Sequence, residues 1–261
     1  MLAAPIASAV PPPALPFAEA VRVDNLLYLS GQIGVAPGAD RPVSGGVAAE
    51  TRQAMDNIGA TLRRHGLGYR DLARCTVALT DMSQWSALNQ AYAGYFPDGR
   101  FPARSVTGAT ALALGASVEI DCIARFSAAP VAINPGTPLG PYSQAVSAGG
   151  TVYISGIIAF DAAAGRFAQG DIDSQMRQVL ANLDSVLAGA HLRRGDVVQT
   201  TLFLRNPADM PAANRLYAAY FSAPRKPART TVPGADWGRP DILVEMAAVA
   251  VSREPVAGGE R

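Results

Sequence analysis

Two arginines stand where a guanidinium group could do chemistry. Arg104 lies in the segment FPARSVTG and Arg229 in KPARTTVPG, each at the start of a β-branched or hydroxyl-rich run. An Arg opening such a strand is costly to bury unless it is paired. Two kinds of partner fit. One is a carboxylate of the same sheet, and Glu119 (SVEID) and Glu245 (LVEMA) each stand in an apolar run. The other is the carboxylate of a small molecule, which the planar fork matches bidentately. A charge-assisted contact of that kind is worth roughly 1.5–3 kcal/mol. The same glutamates could orient or deprotonate a water, and pairing with Arg does not exclude this. Asn89 and Asn214 fall in the middle of helix-like segments, where Asn is disfavoured. They read either as members of a buried network or as amides turned to a ligand.

Other chemistries find no support. Lys226 is the only lysine and sits in an Arg-Lys-Pro loop, so a Schiff base is not expected. His65 and His191 lie near helix ends with no Cys or Asp cluster at ligand spacing, so no metal site is expected. The chain has no P-loop, no nucleophile elbow and no dinucleotide fingerprint, and no cofactor is expected. With 16% charged residues and a net charge of +1, no strong field draws nucleic acid or an anionic membrane. No apolar run approaches the roughly 18 residues of a membrane span. The opening MLAAPIASAVPPPALP lacks a basic start and is broken by prolines, so it reads as an exposed lead-in, and the cytoplasm is the expected compartment. Cys75 and Cys122 sit in apolar strand-like runs and read as buried reduced thiols.

The elements that must position these residues occur twice. Tyr28-Leu29-Ser30-Gly31 overlies Tyr153-Ile154-Ser155-Gly156 at an offset of 153 − 28 = 125. The same offset pairs Phe17 with Tyr142, Asn57 with Asn182, Asn89 with Asn214 and Arg104 with Arg229. Glu119 meets Glu245 at 245 − 119 = 126, so copy two has one extra residue, in the loop-like PGADWGRPD. The expected domains are 1–128 and 129–261, with the tail after Ser252 frayed. Each copy reads β-β-α-β-α-β-β. Asp24-Asn25 and Gly149-Gly150 are hairpin turns. Val47, Ala54, Met55, Ile58 and Leu62 form a helical stripe, as do Ile172, Met176, Val179, Leu183 and Val186. A second, shorter helix is expected from Gln84 to Phe96 and from Met210 to Phe221. Strands fenced by two helices imply an α+β layer, with the helices on one face of a mixed sheet.

Taken together, GPYSQAV, YISG, N-x-x-Y-x-x-Y-F, PAR[TS] and V-E in copy two resemble the RidA (YjgF) family of imine and enamine deaminases. Copy one resembles it through YLSGQ, N-x-x-Y-x-x-Y-F, PARS and VEI. The resemblance implies two tandem chorismate-mutase-like domains, trimeric assembly and sites in clefts between neighbouring domains. It implies that Arg104 and Arg229 grip the carboxylate of a 2-imino or 2-amino-enoic acid. Glu119 and Glu245 would help hold the attacking water. Tyr142, Asn214, Asn89, Phe17, Ser155 and Ser30 would line the substrate site. The product would be a 2-keto acid plus ammonia, with no cofactor. Copy one departs from the pattern, with Phe17 and Glu19 where the family has Tyr and Gln. Copy two has Ile157 after its Ser-Gly, and Trp237 could narrow or cap its pocket. Turnover is therefore expected in copy two, although a site between unlike copies would let Tyr142 serve Arg104. Two other readings stay open: a pathway enzyme on a larger aminomuconate-like or chorismate-like acid, and a non-catalytic binding module. The expected assembly is a homotrimer with six domains, pseudo-hexameric in character.

Overall fold

The computed structural model of the chain describes residues 16–252. Most of the proline-rich lead-in and the tail after Ser252 lie outside the described residues.

Copy one runs β1 (Ala20–Val23), β2 (Leu26–Ile33), α1 (Gly46–Arg64), β3 (Leu72–Leu79), α2 (Trp85–Ala93), β4 (Ala103–Gly108) and β5 (Val118–Arg125). Copy two begins with a short strand, β6 (Val131–Ile133), and continues with β7 (Ala145–Ala148) and β8 (Thr151–Ile158). A small hairpin of β9 (Phe160–Asp161) and β10 (Arg166–Phe167) follows. Then come α3 (Ile172–Gly189), β11 (Val197–Leu204), α4 (Met210–Tyr220), β12 (Ala228–Pro233) and β13 (Val244–Val251). The strand order is β1-β2-β5-β3-β4 in one sheet and β12-β11-β13-β8-β7-β6 in the other. Only β3–β4 and β11–β12 are parallel, so both sheets are mixed.

The hairpin turns follow from backbone chemistry. Asp24 (φ 50°), Gly149 (φ 66°) and Gly150 (φ 84°) take the left-handed conformation that a two-residue turn demands. Both helical stripes are buried as their spacing requires: Met55, Ile58 and Leu62 in α1, and Met176, Val179 and Leu183 in α3, are fully enclosed. Each copy thereby has a core between sheet and helices, and that of copy one also takes in Ala235, Trp237 and Ile242 of copy two.

The copies also share a third, smaller core. Ala73 and Ala103 of copy one pack against Val146, Ala148 and Tyr153 of copy two. The contact is head to tail: β4 of copy one lies against β8 of copy two, and β3 against β7.

One expectation is overturned. Cys75 and Cys122 are joined by a disulfide. They are direct partners in the β3–β5 ladder, with Cα atoms 4.1 Å apart. Sequence spacing carries no register, so this pairing could not be read from two cysteines 47 positions apart.

Candidate functional site at the junction of the copies

The site begins with Arg104. Its place on β4 sets its side chain on the helix-covered side of the sheet, over α2. There Nη2 donates to Oδ1 of Asn89 at 2.6 Å, and the guanidinium carbon sits 4.8 Å from the ring centroid of Tyr92. Asn89 and Tyr92 are three residues apart on one helix and so share a face, which explains the N-x-x-Y spacing. Arg104 is 3% exposed, and burial pulls its pKa below the ordinary arginine value. Its Nε and Nη1 are buried with no protein partner.

Copy two supplies the opposite wall. The backbone N–H of Arg104 donates to Oγ of Ser155 at 2.7 Å, and that hydroxyl donates to the carbonyl of Ser143 at 2.6 Å. Ser143 in turn donates from its own hydroxyl to the carbonyl of Phe101 at 2.6 Å and from its N–H to that of Pro102 at 3.1 Å. This chain of bonds ties the Pro-Ala-Arg segment of copy one to the Tyr142-Ser143 and Ser155-Gly156 segments of copy two. The Tyr142 ring centroid lies 5.9 Å from the Arg104 guanidinium carbon.

Glu245 of β13 completes the polar set. It is 5% exposed, and burial pushes its pKa up to about 7, opposed by a hydrogen bond from Nε1 of Trp237 to Oε2 at 2.6 Å. Its Oε1 is buried with no protein partner. Gly156 is there for steric reasons: a Cβ would collide with Oε1 of Glu245, and Gly31 has the same relation to Glu119. In both copies the Ser-Gly pair also coincides with a register shift in the ladder, a β-bulge that re-aims the strand beside the site.

Arg104, Tyr142, Gly156 and Glu245 all line one cavity of about 580 Å³. Its remaining walls are mostly apolar and include Trp85, Phe160, Phe167 and Trp237. Trp237 packs into the core of copy one, and Gly238 rests against Met82, so the 234–242 loop of copy two reaches across the junction.

The other candidate residues form two separated halves. Arg229 repeats the cradle, with Nη2 bonded to Asn214 at 2.8 Å and its guanidinium carbon 4.7 Å from the Tyr217 ring, but it is exposed. Glu119 is half-buried, Ser30 donates to the Ala18 carbonyl at 2.7 Å, and Phe17 is exposed. Glu19 turns away to Thr61 and Arg64 of α1, and the Thr61 hydroxyl bond holds its carboxyl below the usual range. No ion pair joins Arg104 or Arg229 to Glu119 or Glu245 among the described residues. Of the arrangements left open by the sequence, this geometry has Tyr142 of copy two beside Arg104 of copy one. Glu245 lines a cavity with Arg104, and Arg229 does not line it. Sequence reasoning did not find Trp85, Phe160 or Phe167, which carry no motif.

Comparison with known proteins is consistent with this doubled architecture. A family model described as endoribonuclease L-PSP matches twice, over residues 7–126 and 132–252. The 2-iminobutanoate/2-iminopropanoate deaminase of Bos taurus is 41% identical over 120 residues, 46% of this chain and 87% of that protein. The protein of the same name from Homo sapiens is 39% identical over 109 residues, 42% of this chain and 79% of that protein. A solved structure of a conserved Rid-family protein from Yersinia pestis is 36% identical, covering 48% of this chain and 100% of its own, with a TM-score of 0.44. No helix among the described residues is long and apolar enough to cross a membrane.

Proposed function

The chain belongs to the RidA (YjgF), or endoribonuclease L-PSP, family in two tandem copies, and from that premise we propose that its junction site hydrolyses 2-imino acids to 2-keto acids and ammonia. One observation carries the reading. A buried guanidinium with two donors lacking protein partners shares a cavity with a buried carboxylate oxygen that also lacks one. A buried charge left uncompensated costs several kcal/mol. An incoming carboxylate that accepts from Nε or from Nη1 of Arg104 would offset that charge.

The reaction then asks for little machinery. The substrate carboxylate docks on Arg104, which Asn89 and Tyr92 hold in place. The carboxylate form of Glu245 accepts a proton from water as the water oxygen bonds to the imine carbon. Glu245 passes that proton to the imine nitrogen, the hydroxyl proton of the tetrahedral adduct goes to the same nitrogen, and the C–N bond breaks to release ammonia and the 2-keto acid. Free imines already hydrolyse in water, so holding a water and a carboxylate in register supplies most of the gain. Neither a metal nor a nucleic acid enters this scheme.

Assembly is part of the same proposal. Arg229 with Asn214 and Tyr217 lacks a roof, while Glu119, Ser30 and Phe17 lack an arginine edge. A second copy of the chain, docked as the two halves already dock within one chain, would join them. Three chains is the number we expect.

The test is ammonia and keto-acid release from freshly generated imino acids by the wild type, Arg104→Ala and Arg229→Ala. Arg104→Ala should lower kcat/KM by roughly 10- to 100-fold or more, the worth of a charge-assisted carboxylate contact. Full activity in Arg104→Ala would remove the junction site from the reaction. No turnover by the wild type above the spontaneous rate would leave a binding module.

A further inference from the structure

The junction cavity is larger and more apolar than three- and four-carbon imino acids require. At about 580 Å³ it falls among pockets of roughly 300–1,000 Å³ that enclose drug-sized ligands. Its apolar walls come largely from two segments of copy two. The first is the β9–β10 hairpin, where Phe160 and Phe167 meet edge to face with centroids 5.4 Å apart. The second is the loop with the extra residue, which brings Trp237 and Ile242. Trp85 closes the wall from copy one.

Charge narrows the ligand further. Among the described residues, the cations lining the cavity are Arg104 and Arg239. Arg239 stacks 4.3 Å from the Phe167 ring centroid and is already held by both oxygens of Asp241, at 3.0 and 2.7 Å. A second carboxylate on the ligand would therefore meet a neutralised pair. The cavity suits one carboxylate at Arg104 and an apolar body against the aromatic walls.

We propose that the junction site acts preferentially on 2-imino acids bearing an aromatic side chain, such as 2-imino-3-phenylpropanoate, over the short imino acids in its relatives' names. This rests on the deaminase reading above. Water adds its oxygen to the imine carbon and the nitrogen departs as ammonia, so no oxidant or reductant is consumed. The reaction that supplies such a substrate is a two-electron oxidation of an aromatic amino acid at its Cα–N bond.

The experiment uses that supply. An L-amino-acid oxidase with catalase generates the imino acids of phenylalanine and alanine in the presence of the full chain, and keto-acid formation is followed above the enzyme-free rate. The wild-type kcat/KM ratio, phenylalanine-derived over alanine-derived, should be at least about 10, the discrimination an apolar pocket gives for added hydrocarbon. Phe167→Ala should bring that ratio towards one, mainly through KM. Because the ratio is taken within one preparation, loss of folded protein cancels. A wild-type ratio below about 10, with both acids turned over, overturns the proposal and leaves the deaminase standing. Acceleration of neither acid overturns both. A high ratio unchanged in Phe167→Ala overturns the assignment of the aromatic wall.

Discussion

The two copies build the same cradle around their Pro-Ala-Arg arginine, yet one cradle is roofed and the other is open. Arg104 and Arg229 each bond to a helix Asn and stack near a helix Tyr. Arg104 is buried, and Arg229 is exposed. The strands differ likewise: β4 is buried from Ala103 to Val106, and β12 is exposed from Ala228 to Thr230. On the complementary side, Val146 and Ala148 of β7 are buried, whereas Val21 and Val23 of β1 are each 52% exposed. The motif sets the cradle, and a neighbouring domain makes it a site. Excluding water strengthens each charge–charge contact inside, so the same residues have different chemical weight in the two copies.

The strongest way to break this comparison is to ask whether the bare surfaces stay bare. The exposed valines of β1 and the exposed edge strand β12, in different sheets, are each a surface that another chain could cover. The contact is head to tail, and one surface of each kind is left over, so repetition must close a ring or extend. Light scattering should give a mass near three chains, and Val21→Lys with Val23→Lys should reduce it to one. Turnover through Arg104 should survive in that variant, because its junction lies within the chain. A wild-type mass of a single chain would show that the Arg229 half-site stands idle.

A smaller effect sharpens the roofed site itself. Burial raises the Glu245 pKa to about 7, and the Trp237 bond to its carboxylate pulls the other way. If the carboxylate form takes the proton from water, kcat/KM should rise with pH and level off above about 7. Trp237→Phe removes the opposing bond, so the rising limb should move to higher pH. Stability runs in the opposite direction. The folded chain holds the Glu245 proton between the ordinary value of 4.5 and about 7 while the unfolded chain has released it, so this group's contribution falls as pH rises through that window. A pH–rate profile unchanged in Trp237→Phe would show that Glu245 is not the titrating base.

The sequence carried the architecture further than it carried the site. The duplication was legible because one offset holds from Phe17 to Arg104, and the helices because their apolar residues recur at helical spacing. The strands β6, β9 and β10, two or three residues each, are too short to show any period. The cradle residues were legible by type, and N-x-x-Y by spacing. Tyr142 serving Arg104 was one of the arrangements left open; that Glu245 would share their cavity, with Arg229 left open, was not legible, because it depends on which sheet surfaces pack. The aromatic walls at Trp85, Phe160 and Phe167 are fixed by the same packing.

The smallest effect concerns the cystine, and the two copies again supply the control. Where copy one pairs Cys75 with Cys122, copy two pairs Thr200 with Ala248 in the equivalent ladder position. Thr200 has a use that Cys75 lacks: its hydroxyl bonds to the Tyr217 hydroxyl at 2.8 Å, whereas the buried Tyr92 hydroxyl has no protein partner. Removing a cross-link of this kind costs about 2–4 kcal/mol, and leaving a buried hydroxyl unpaired costs about 1–3 kcal/mol. Cys75→Ala with Cys122→Ala should therefore lose the full cross-link contribution from copy one. Cys75→Thr with Cys122→Ala, which installs the pair of copy two, should recover about 1 kcal/mol by satisfying Tyr92. Denaturant midpoints of the two double variants, measured against the oxidised and the reduced wild type, read that difference. Equal midpoints would mean that Tyr92 finds its partner elsewhere, and that the cradle beneath Arg104 does not depend on what stands at position 75.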